Sequence, residues 1–146
     1  MKLPKELVNG IIIFVGIAFY FFIMELFGLA DILYLRAFNA AFVFYGVTRT
    51  LNSNVKEGKT DYVFNLLSAG ITAIIGVLLS VAGLLAYIYI RGGNAYIDSL
   101  SEEFLFGGKP TANEYCIGVL FEGIASAIIM TFVALQFWRS KFAPNK

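Results

Sequence analysis

The sequence contains no histidine. That absence removes the usual general base near neutral pH, the commonest metal ligand and the usual haem ligand. There is one cysteine, Cys116, so an internal disulfide is excluded. At a helix start it reads as a small packing residue rather than a reactive thiol. Charge is scarce as well: 14% of the 146 residues are ionisable Asp, Glu, Lys or Arg, against about 25% in a typical soluble domain. The net charge is +1, with no basic face for nucleic acid. Glu57-Gly58-Lys59-Thr60 imitates the end of a phosphate-binding loop. Ser53 stands where that loop needs its first glycine, so the stretch reads as a turn. Asp98, Glu102 and Glu103 lack the spacing of a calcium loop and read as a solvated acidic face. No metal or cofactor is expected. Catalysis would rest on carboxylates and arginine alone, so an enzyme is not expected either.

What the chain has in abundance is apolar surface: 59% of its residues are hydrophobic, and the mean hydropathy is +0.77. Four apolar segments follow one another, over approximately 7–30, 32–51, 62–90 and 115–138. A spanning helix needs about 20 mainly apolar residues to cross about 30 Å of hydrocarbon. The first, third and fourth segments satisfy this. The second is interrupted by Arg36. Backbone in lipid must satisfy its own hydrogen bonds, so helix is expected throughout. The fold expected is an all-α membrane protein, a single domain over 1–146 with four transmembrane helices in an antiparallel bundle.

Lys2, Lys5 and Gly28-Leu29-Ala30 around the first segment imitate a secretory signal with its cleavage site. The apolar run exceeds a signal's usual core of about 7 to 15 residues, so it is expected to stay as an anchored helix. Lys2, Lys5, Arg49, Lys56, Lys59, Arg139, Lys141 and Lys146 would share one side of a four-span chain, and Arg36, Arg91 and Lys109 the other. The positive-inside rule then places both termini in the cytoplasm, here of a bacterial inner membrane. The outer connections are a tight Gly28–Asp31 turn and a longer loop over 91–114. Tyr96, Phe104, Phe106 and Tyr115 outside, and Tyr62, Phe137 and Trp138 inside, fit aromatic belts.

Local signals mark the boundaries. Pro4 suits a first turn. Thr111 to Glu114 reads as a capping box, and Arg91-Gly92-Gly93-Asn94 as a helix stop. In the outer loop, Ser99 to Glu102 reads either as the cap of a short helix, with Ile97, Leu100, Phe104 and Leu105 on one face, or as ordered loop lying on the bundle.

Ala69, Ala73, Gly76, Ser80 and Gly83 alternate spacings of four and three, a stripe that admits a close partner backbone. Gly123, Ala127, Thr131 and Ala134 form a matching series on the fourth segment, and these two segments are expected to pack on each other. Glu25 and Arg36 flank the tight outer turn at matched depth, which points to an ion pair. Asn39 lies one turn below Arg36. Glu122 stands alone in the uncharged run from Tyr115 to Trp138, about 10 Å from its start at 1.5 Å per residue. An ionised carboxylate near a helix centre costs roughly 2.5 to 3.5 kcal/mol or more. Glu25, Arg36, Asn39 and Glu122 are therefore read as one polar layer, serving either a proton or cation or simply helix packing.

The run GVTRTLNSNVKEGKTDYVFNLLSAGITAIIGVLLSVAGLLAYIYI, with Gly46, Val47, Arg49, Gly58, Phe64 and Gly70, resembles the middle of a family of small four-helix bacterial integral membrane proteins of unknown function. The outer loop and the basic end of the last segment look similar. The resemblance implies four spans and no known activity. Two readings of function stand open. One is a non-catalytic accessory or assembly subunit that packs through its small-residue faces within a larger membrane complex. The other is a small oligomeric proton- or cation-coupled carrier or channel using Glu122.

Overall fold

A computed structural model describes residues 3–29, 35, 37–98 and 110–142, and the backbone alone at 99 and 100. Arg36, Asp31, Lys109 and the acidic and aromatic residues over 101–106 lie outside that set, as do Lys2 and Lys146. The described residues are helical, without strands: α1 (Lys5–Leu26), α2 (Asn39–Lys56), α3 (Tyr62–Ile90), the short α4 (Asn94–Leu100) and α5 (Ala112–Trp138), which runs into a 3-10 turn at Arg139–Lys141. Three helices are long and apolar enough to cross a membrane: Lys5–Leu26, Tyr62–Ile90 and Ala112–Lys141. α2 has 18 residues and is less apolar, because its inward face carries Thr50 and Asn54.

Glycine stops and side-chain caps mark several helix ends. α1 stops at Gly28, whose φ of 70° lets the Gly28 and Leu29 amides turn back to the carbonyls of Glu25 and Met24. Asp61 caps α3 by accepting from the Phe64 amide. Thr111 and Glu114 form the expected capping box at the start of α5. Gly92 and Gly93 stop α3 as expected, but the next helix begins at Asn94 rather than Ser99. Its Ile97 is fully buried, so the segment docks on the bundle.

The long helices run up, down, up and down. The Lys5 ammonium bonds Glu57, and the Tyr62 ring meets the Phe142 ring, so both ends of the described bundle and the 57–61 turn share one end. α4 and Thr111 lie at the other. α2 and α3 each pack on all the other long helices, which leaves α1 and α5 as the pair of long helices with the least mutual packing. Leu67, Ile71, Ile74 and Leu78 of α3, with Ile11, Val15, Phe19 and Phe22 of α1, stay outward and exposed at helical spacing. Continuous apolar stripes of this kind suit hydrocarbon surroundings rather than water.

The third and fourth apolar segments, α3 and α5, pack on each other as expected, but the glycines of the α3 stripe meet a different helix. A Cβ added at Gly76 would sit 2.6 Å from Ile13 Cγ2, and one at Gly83 would sit 2.8 Å from the Phe14 ring. The stripe's glycines therefore receive α1. α5 meets α3 through Gly123, where a Cβ would lie 2.7 Å from Val77 Cγ1. Tyr96 and Tyr115 are buried rather than set in an aromatic belt, because α4 folds its apolar face inward over the ends of α1, α3 and α5.

At the shared end, Lys5 and Lys59 reach Glu57 Oε2 at 2.7 Å and 3.0 Å. The hydrogen bond from Lys5, then that from Lys59, holds the Glu57 carboxyl below its ordinary value of 4.5. A depressed folded-state pKa stabilises above the ordinary value, and that contribution is lost as pH falls through the folded one. In an NMR titration Glu57 is expected to protonate at lower pH than a free glutamate, and Lys5→Gln to move its midpoint back up. A midpoint at the ordinary value would mean the cluster does not hold in solution. Its worth to stability is small, because the group is fully solvated and screened.

Candidate functional site

A cavity of about 720 Å³ opens among the four long helices, toward the Arg91 end. Phe14, Ile17, Tyr20 and Phe21 of α1 form one wall, Val81, Leu84 and Tyr87 of α3 another, and Val119, Gly123 and Ser126 of α5 a third. Asn39, Ala40 and Val43 enter from the first turns of α2. The lining is mainly apolar and aromatic, and its carboxylate is Glu122, half-buried on α5. Sites for small molecules have this form: about 300–1,000 Å³, mainly hydrophobic, with a few placed polar groups.

Two of the four residues read as a polar layer thus share the cavity, Glu122 and Asn39. The Asn39 side-chain oxygen is buried and accepts no hydrogen bond among the described residues. Glu25 is placed differently. It accepts from the Tyr96 hydroxyl of α4, and Arg91 Nη2 lies 3.5 Å from its other oxygen. Arg36 lies outside the described residues. The Arg91 guanidinium also sits 5.8 Å and 5.5 Å from the Tyr87 and Tyr96 ring centres. Burial, then the Glu25 carboxylate, pushes the Tyr96 phenol up, so it stays a neutral donor. Phe21 and Phe22 meet the edge of Tyr87, which joins this cluster to the cavity's upper wall. The Glu25 partner was not readable because it comes from a segment far along the chain.

A second polar assembly escaped the sequence reading altogether. Near the Lys5 end, Arg49 Nε donates to Asn9 Oδ1, and Asn9 Nδ2 donates to Thr50 Oγ1 at 2.9 Å. Thr50 and Thr72 hydroxyls lie 2.8 Å apart, and Thr72 donates to the Ser68 carbonyl. Since Thr72 spends its proton on Ser68, Thr50 is the donor between the pair. Ser68 Oγ in turn donates to Glu6. One turn lower, Asn54 donates to Asn65, which donates to the carbonyls of Lys59 and Asp61 and so pins the turn. Asn9, Thr50, Asn54, Asn65 and Thr72 are all buried. The signal was present: Asn65, Ser68 and Thr72 recur on one helical face that continues into Ala69, Ala73 and Gly76. The chain of bonds ties α1, α2 and α3 together. An amide interrupts it, so it is a latch rather than a proton wire.

The small-residue positions are taken up inside the chain. Ala69, Ala73 and Ala127 are buried, Gly76 and Gly123 receive Ile13 and Val77, and Gly83 receives Phe14 while also bordering the cavity beside Ser80. Cys116 is buried. Among the described residues, no three acidic or cysteine side chains cluster as metal ligands. The cavity therefore has the parts for binding: a carboxylate, an amide, several hydroxyls and aromatic walls. No family model matches the chain, and no curated protein and no solved structure matches it.

Proposed function

We propose that this chain is a four-span protein of a bacterial inner membrane, with the Lys5 end cytoplasmic, and that it is a small carrier whose binding site is the Glu122 cavity. α2 has enough residues to cross, and its Thr50 and Asn54 face protein rather than lipid. The basic residues Lys5, Lys56, Lys59, Arg139 and Lys141 gather at one end, which favours that end as cytoplasmic. The observation that supports the reading is the cavity, lined by all four long helices of one copy and bordered by the carboxylate of the apolar α5.

The accessory-subunit reading relies on the small-residue stripe and the outer loop to bind other chains. Gly76 and Gly83 of the stripe are occupied by Ile13 and Phe14, which disfavours the first of these surfaces; residues 101–109 of the loop lie outside the described set. Binding suits the mainly apolar and aromatic lining. In vesicles containing the full chain, Glu122→Gln is expected to lower carrier flux by about tenfold or more, the effect of losing about 1.4 kcal/mol of charged recognition. The variant should keep its elution volume and helicity. Equal flux with and without the carboxylate removes Glu122 from the site and the carrier reading with it.

A further inference from the structure

We infer that the ligand of this cavity is a membrane lipid, whose acyl chain enters sideways from the hydrocarbon layer past Ala125. The inference rests on the cavity being a binding site and adds the substrate class and its route. Toward Lys5 the cavity ends blind among the described residues. Ile13 is fully buried in the sockets at Gly46 and Gly76, with Val43 and Val77 buried beside it. The Asn9–Thr50–Thr72 hydrogen bonds lie below that floor. Toward Arg91, Tyr96 and Ile97 of α4 are buried, and Phe21, Leu84, Tyr87 and Val119 of the cavity lining pack against their cluster.

The flank differs from both ends. Ala125 borders the cavity and is exposed. It stands about 20 Å from the start of α5 at 1.5 Å per residue, at the depth of hydrocarbon rather than at a helix end. Phe121, Ile128, Ile129 and Phe132 flank it at helical spacing, and all four are exposed. Alanine therefore makes a notch in an otherwise bulky outward stripe, and the notch leads into the cavity. α1 and α5 pack least on each other, so the space between them is left for another group to fill. The lining is mainly apolar and aromatic. Empty, such walls forfeit dispersion contacts, and a chain drawn from the surrounding lipid restores them without leaving water. The chain needs no hydrogen-bond partner from Glu122 or Asn39.

The test is photolabelling of the full chain in phosphatidylcholine vesicles, with adducts mapped by mass spectrometry. One probe is phosphatidylcholine carrying a diazirine midway along one chain. The other is a sugar carrying the same diazirine, supplied in the water on both sides. The lipid probe should modify the cavity residues Ile17, Val81 and Val119 as well as the outward Phe19 and Leu78. The sugar should modify none of the five. Ala125→Phe fills the notch from an exposed position, so the chain should keep its elution volume. It should lose most of the cavity adducts and keep those at Phe19 and Leu78. Ile128→Phe, on the same stripe, should change neither set. Cavity adducts that survive Ala125→Phe at the wild-type level overturn the route and the inference with it. Cavity labelling by the sugar and not by the lipid overturns the substrate class and leaves the cavity as a site. Labelling of the cavity by neither probe overturns the site itself, and with it the reading this class rests on.

Discussion

Gly46→Leu should abolish the native bundle, and Gly46→Ala alone should lower its stability by about 1–3 kcal/mol. The expectation follows from one close approach. A Cβ at Gly46 would lie 2.3 Å from Ile13 Cγ1, 2.6 Å from Ile13 Cδ1 and 3.1 Å from the Asn9 carbonyl oxygen. Ile13 is fully buried and also fills the space left by Gly76, so it sits between two glycine sockets and has no direction in which to retreat. The Asn9 contact is backbone, and moving it would shift α1 as a body. Gly46→Ala combined with Ile13→Val should recover part of the loss, because the smaller side chain frees volume beside the new methyl. A positive coupling between the two changes, within the range of about 0.5–3 kcal/mol seen for touching residues, is the signature. Unfolding in mild detergent, followed by helicity and by elution volume, reads all four corners of the cycle. A Gly46→Leu chain with wild-type unfolding would mean that α1 and α2 do not approach as described.

Thr50→Val should cost about 1–2 kcal/mol, more than an ordinary hydroxyl deletion in a membrane core. Valine keeps the shape and removes the oxygen that accepts from Asn9 Nδ2 and donates to Thr72 Oγ1. Both neighbours are buried, so water does not replace the lost partner. A buried amide donor left unpaired carries most of the penalty. Adding Asn9→Leu should therefore restore stability toward the starting value, since removing both partners can be nearly neutral where removing one is not. The same unfolding measurement decides it. A double variant worse than Thr50→Val by the full cost of Asn9→Leu would show that the two side chains act independently, and the latch would be no more than proximity.

These two sites illustrate what was legible. The apolar runs announced α1, α3 and α5, and Thr111 with Glu114 announced where α5 begins. The glycine stops at Gly58 and at Gly92-Gly93 also stand where the residue types place them. Gly76 and Gly83 were recognisable as small residues on one helical face, but their partner was not. An apolar side chain from α1 and one from α5 satisfy a glycine socket equally well, and nothing local distinguishes them. The latch was harder still. Asn9, Thr50 and Thr72 come from three segments, and each alone reads as a tolerated polar residue in a helix. For the cavity, Glu122 and Asn39 were identifiable by the cost of polarity in lipid. Glu25 was identifiable too, but its partners Tyr96 and Arg91 depend on how α4 folds back.

Composition and periodicity alone determined that this chain is helical, with three helices long and apolar enough to cross a membrane, because each helix satisfies its own backbone and leaves an apolar exterior. They also singled out the few polar groups inside those apolar runs, since each would be costly in lipid without a partner. Tertiary packing alone decided which helix entered which glycine socket, which hydroxyls met, and that α2 and α3 would both pack between α1 and α5 to leave a cavity beside Glu122. Those choices turn on shape complementarity between segments distant in the chain, and a pattern of apolar and small residues carries no record of the neighbour it will meet.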